Sequence, residues 1–157
     1  MPIVSVKIAK GRPKKGDSAM KIGKIVIAGV VVTVFNAIVG MLTCGGIFSW
    51  VYKLEPINIW KPMGSSGPGA MFMIGSLILS IVLSFVYTLI NKGIPGGNKF
   101  TKGIVFGLCV WAVGMLPGMF ATYAFMTVST TVVIYWTILG LIKTPLEGMI
   151  IATIYGE

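Results

Sequence analysis

Lys143 and Glu147 stand four residues apart in "LGLIKTPLEGM" (139–149), inside a long apolar run, with Pro145 between them. Residues one helical turn apart share a face and reach each other. An ammonium and a carboxylate so placed offer two kinds of chemistry. One is a local ion pair that neutralises both charges in a low-dielectric surrounding. The other is a relay that passes an ion or a proton. A charge at the centre of a bilayer costs at least about 2.5–3.5 kcal/mol, so the spacing predicts a pair. Pro145 has no N–H and leaves the Leu141 carbonyl without its helical donor. Lys143 or a nearby hydroxyl is expected to satisfy that oxygen. The pair is read as structural and protein-facing, with transport as the alternative.

Other reactive constellations are missing from the chain. It has no histidine, which removes the usual axial ligand of haem and a common ligand of zinc and copper. Its four acidic residues, Asp17, Glu55, Glu147 and Glu157, form no close pair in sequence. No Ser-His or Cys-His set exists, so the chain is expected to be non-enzymatic, without catalytic residues, cofactor or metal. Cys44 and Cys109 are placed near opposite ends of their spans, about 20 Å apart in depth at about 1.5 Å per residue. A disulfide needs Cα atoms within about 7 Å, so none is predicted within one chain. "NKGIPGGNK" (91–99) lacks the GxxxxGK[ST] order of a phosphate loop and has no preceding strand. It is read as a turn.

The elements that position Lys143 and Glu147 follow from composition. The 157 residues are 55% hydrophobic and 11% charged, with a mean hydropathy of +0.92. Soluble domains are about a quarter charged, so an integral membrane protein is predicted. Runs poor in charge predict four transmembrane helices at about 25–50, 70–90, 103–125 and 131–154, each long enough for the roughly 20 residues a crossing needs. Residues 1–24 are read as a basic cytoplasmic tail and 25–157 as the transmembrane domain. Net charge is +9, and seven of the thirteen basic residues precede residue 25. That flank predicts both termini in the cytoplasm and contact with anionic lipid headgroups. Nucleic acid is not an expected partner, because the tail has no aromatic residue to stack on a base. The basic segment is longer than that of a signal peptide and no small-x-small site closes the apolar run, so the first helix is expected to be retained.

Small residues form stripes at helical spacing. Gly29, Thr33, Asn36, Gly40 and Thr43 share a face in the first span, and Ser76, Ser80, Ser84 and Tyr87 in the second. Gly103, Gly107, Gly114 and Gly118 fall within one arc of the third span. Gly140, Thr144, Glu147, Gly148 and Ile151 line up in the fourth. Small residues let membrane helices approach closely, and hydroxyls bond across the contact. The stripes predict an all-α, compact four-helix bundle. Pro117 and Pro145 predict kinks. "VGML" recurs at 39–42 and 113–116, which points to a duplicated helical hairpin.

Two resemblances accompany these readings. "KGIVFGLCVWAVGMLPGMFATYAFM" and "YWTILGLIKTPLEGMIIATIYG" resemble small four-helix prokaryotic membrane proteins without an assigned function, over roughly 85–157. That resemblance implies a four-span fold and brings no catalytic residues. "MPIVSVKIAKGR" is similar to the opening of 4-oxalocrotonate tautomerase-like enzymes. There the proline, here Pro2, is a general base, and an arginine, here Arg12 after Gly11, binds substrate carboxylate. The resemblance ends near residue 12, where the rest of the required βαβ unit is missing, so tautomerase activity is not expected.

The sequence therefore predicts a multi-pass protein of the plasma (inner) membrane. Its expected role is that of a structural or accessory subunit packed against itself or other membrane subunits. The alternative is a small transporter or channel using Lys143 and Glu147.

Overall fold

The computed structural model describes residues 15–56, 59–60 and 68–156. Pro2, Gly11 and Arg12 lie outside the described residues, as does most of the basic tail. Among the described residues five α-helices follow one another: α1 (Lys15–Gly40), α2 (Pro68–Ile90), α3 (Lys99–Val110), α4 (Leu116–Phe125) and α5 (Thr130–Tyr155). A π-helical turn, Met41–Ile47, and a 3₁₀ turn, Ser49–Lys53, extend α1, and a second π turn, Trp111–Met115, joins α3 to α4. Among the described residues these make four segments long and apolar enough to cross a membrane: Ile22–Ile47, Gly69–Ile90, Lys99–Phe125 and Thr130–Tyr155. The protein is an all-α, multi-pass membrane bundle.

Helix ends depart from the sequence expectation for local reasons. α1 already includes Lys15–Lys24, ahead of the expected residue 25, because lysines flanking a span are still good helix formers. α3 starts at Lys99, not 103, because the Asn98 side chain accepts the Thr101 amide at 2.8 Å. That cap satisfies one of the four donors a helix start leaves open. α5 ends on Gly156, whose φ of 78° is left-handed and suits glycine.

The helices form two close antiparallel pairs, α1 with α2 and α3 with α5, joined through α1 and α5. The repeated "VGML" falls once in each pair, in the first span and in the third. Both copies also border a widened turn, since Met41 opens one π segment and Val113, Gly114 and Met115 lie in the other. Lys24 meets Tyr155 at one end of the α1–α5 contact and Cys44 meets Tyr135 at the other. The largest buried cluster lies toward the first of these ends: Ala28, Val32, Tyr87, Phe106, Ile151 and Tyr155, with Ala152. The Tyr87 ring sits edge-on to Phe106 at 5.2 Å and to Tyr155 at 5.9 Å. Such aromatic pairs contribute about 0.5–1.5 kcal/mol beyond area burial.

The α3–α5 crossing is a backbone-to-backbone contact made by glycine. A methyl on Gly103 would sit 2.6 Å from the Gly148 carbonyl oxygen and 2.7 Å from the Met149 Cα. One on Gly107 would meet the Thr144 carbonyl oxygen and, at 2.5 Å, the Pro145 Cα. Gly148 is bounded in turn by the Gly103 carbonyl. In the other pair, a methyl on Gly29 would lie 2.9 Å from the Ile81 Cα.

Three predicted packing positions are not in such contacts. Gly114 and Gly118 are exposed, and a methyl on either, or on Gly40, would touch nothing within 4 Å. For Gly114 and Gly118 the reason is the π turn at Trp111–Met115. One extra residue in a turn rotates everything after it by about 100°. The stripe that is continuous in sequence is thereby split: Gly103 and Gly107 face α5, while Gly114 and Gly118 turn outward. Met115 and Trp111 take the inner position instead, against Gly140.

Both prolines are accommodated without ending the span. Pro117 falls in the first turn of α4, directly after the widened π turn and within one continuous helical span. Pro145 lies inside an uninterrupted α5.

Candidate functional site

The candidate site is the charged pair on α5. Lys143 Nζ lies 3.4 Å from Glu147 Oε1, with the glutamate side chain 9% and the lysine side chain 30% exposed. The pair predicted from the spacing is therefore formed, but its members differ in placement. Glu147 sits within the bundle beside buried Thr144 and Gly148. Lys143 stays partly exposed, at the middle of a 26-residue helix. The α3–α5 glycine crossing fixes the height and rotation of α5 and so positions both charges.

The polar stripes behave differently from expectation. Ser80, Ser84 and Thr33 are buried, yet the hydroxyl bonds run along helices rather than between them. Ser84 donates to the Ser80 carbonyl and Thr33 to the Gly29 carbonyl, both at 2.8 Å. Thr137 and Thr153 do the same to Val133 and Met149. A hydroxyl that finds the carbonyl one turn back satisfies itself locally, so these residues contribute small size rather than cross-links. Ser76 is half-buried. Asn36 is half-buried as well, and its Oδ1 is enclosed without a hydrogen-bond partner. The side-chain bonds that cross between spans come from other residues: Lys24 to the Tyr155 carbonyl, Cys44 with Tyr135, and Trp111 Nε1 to the Thr137 carbonyl at 3.1 Å, the last starting in the π turn.

A second cluster, at the opposite end from the tyrosine core, is absent from the sequence reading. Tyr52 donates to Cys44 Sγ at 3.2 Å and accepts from Trp136 Nε1 at 2.8 Å. The Tyr135 hydroxyl lies 3.6 Å from the same sulfur. Trp60 stands edge-on to Tyr52 at 5.3 Å and to Trp136 at 6.1 Å. Burial, and next the bond to Cys44, push the Tyr52 phenol well above its usual range, so it stays protonated and able to donate. Amphipathic aromatic rings belong at the membrane–water boundary. The signal was the aromatic density of 48–60 and 135–136, which converges only once α1 and α5 pair. Tyr52→Phe is expected to cost about 1–2 kcal/mol, because it leaves the Trp136 N–H unpaired. Thermal unfolding in detergent checks this. Tyr52→Phe combined with Trp136→Phe should cost less than the two single losses added together.

Cys44 and Cys109 are both free. No group of three metal-ligating side chains occurs among the described residues. The groove between α4 and α5, about 270 Å³, is lined by Leu116, Phe120, Val133 and Ile138 among others, and includes neither Lys143 nor Glu147.

No protein-family model matches the chain, and neither curated proteins nor solved structures provide a match.

Proposed function

We propose that the protein is a non-enzymatic accessory or structural subunit of a membrane complex, acting by packing against other membrane helices or further copies of itself. The observation that carries this reading is Lys143. Its carboxylate partner is enclosed while the ammonium side chain remains 30% exposed halfway along α5. Facing lipid, that group bears much of the cost of a charge in hydrocarbon. A neighbouring protein surface removes that cost by covering it. The expected result of solubilising native membranes in mild detergent is a complex larger than the chain, disrupted by Lys143→Met. A lone monomer, with ion flux in proteoliposomes, would replace this reading with a small transporter or channel that uses Lys143 and Glu147.

In this reading the protein resides in the plasma (inner) membrane with both termini cytoplasmic. The support is charge: Lys92, Lys99 and Lys102 flank the α2–α3 turn, at the end where α1 begins and α5 ends. Cysteine placed at Ser5 should resist impermeant thiol reagents in intact cells, and cysteine at Asn58 should label, in a chain lacking Cys44 and Cys109. The reverse pattern would invert the topology.

A further inference from the structure

We propose that Lys24, Lys92, Lys99 and Lys102 form a binding site for the phosphate headgroup of an anionic phospholipid, built on the folded helix ends rather than on the basic tail. Two of these lysines are held in place by the fold. Lys24 Nζ donates to the Tyr155 carbonyl at 2.9 Å, and Lys102 Nζ to the Asn91 carbonyl at 3.3 Å. Each thus offsets the partial negative charge at the end of a helix, α5 and α2 respectively. The two capped ends are neighbours, since Asn91 follows Tyr87 by one turn and the Tyr87 ring lies 5.9 Å from that of Tyr155. An ammonium has three donors, so each held lysine keeps two for a ligand.

Lys92 and Lys99 are exposed beside them. Lys99 opens the third span and Asn91 directly follows the second, which sets the group at headgroup depth. Lysine outnumbers acid at this end: Glu147 is paired with Lys143 inside the spans and Glu55 belongs to the opposite end, which leaves Asp17 and Glu157 against the four lysines. Four cations around an aromatic core, at the level of lipid phosphates, complement an anionic headgroup whose acyl chains lie along α2 and α3.

The test uses the full chain in neutral detergent. Retained lipid is counted by native mass spectrometry and melting temperature is followed as phosphatidylglycerol is added. Phosphatidylglycerol is expected to be retained and to raise the melting temperature, and phosphatidylcholine is not. Lys92→Gln with Lys99→Gln spares both backbone caps and so leaves the fold intact. It should weaken retention about 30-fold, at roughly fivefold for each lysine near a membrane surface. Lys7→Gln, Lys10→Gln and Lys14→Gln together should keep most of the effect. The proposal is overturned if phosphatidylcholine is retained equally, or if the tail variant loses the lipid while the Lys92/Lys99 variant holds it. An equal shift from inorganic phosphate alone would overturn it too, by assigning a free-anion site instead.

Discussion

Gly107→Leu is expected to prevent the bundle from assembling in a monodisperse form. The atoms facing Gly107 are the Thr144 carbonyl and the Pro145 Cα, which belong to the backbone of α5. A crowded side chain can rotate away, and overpacking then costs about 1–3 kcal/mol. Backbone cannot, so α3 and α5 must separate along a line that also contains Gly103 and Gly148. Against a total stability of about 5–15 kcal/mol, that loss is decisive. Gly114→Leu is the matched control: the same substitution in the same span, at a site where a Cβ meets nothing. Size-exclusion profiles after heating in detergent compare the two. Equal profiles would mean that the glycine crossing does not hold the helices together.

Glu147→Gln should destabilise the protein by about 2–3 kcal/mol, because it strands the Lys143 ammonium at mid-membrane. Lys143→Met combined with Glu147→Gln removes both charges and should recover most of that loss. The comparison isolates pairing from the mere presence of polar atoms, and detergent melting temperatures report it. A fully stable Glu147→Gln variant that had lost a proteoliposome ion flux would sink the structural interpretation of the pair.

The four spans were legible because each is a run poor in charge, and the Lys143–Glu147 pair because helical spacing brings the two together wherever the helix goes. Other features depended on information that no single segment holds. The third-span glycines follow one stripe on an ideal helix. The widened turn at Trp111–Met115 divides that stripe, and Pro117 was its only trace in the sequence. The cluster of Cys44, Tyr52, Trp60, Tyr135 and Trp136 draws on three separated stretches, so its hydrogen bonds follow from tertiary pairing. Ser84 and Thr33 were readable as small and polar. Whether such hydroxyls turn back on their own helix or reach across is settled by which carbonyl lies nearest. The early start of α3 was written in "NKFT", where Asn98 serves the Thr101 amide.

The joining of the two hairpins through α1 and α5 has a consequence for biosynthesis. α1 and α2 can associate as soon as both have left the ribosome, but Lys24 must wait for the carbonyl of Tyr155, made 131 residues later. Until then Tyr87 and Phe106 have lost water without gaining Ile151 and Tyr155 as neighbours. Closure of the described bundle therefore comes only once the fourth span is in place. A chain halted before the fourth span is left as an unclosed hairpin whose Lys24 lacks its carbonyl partner.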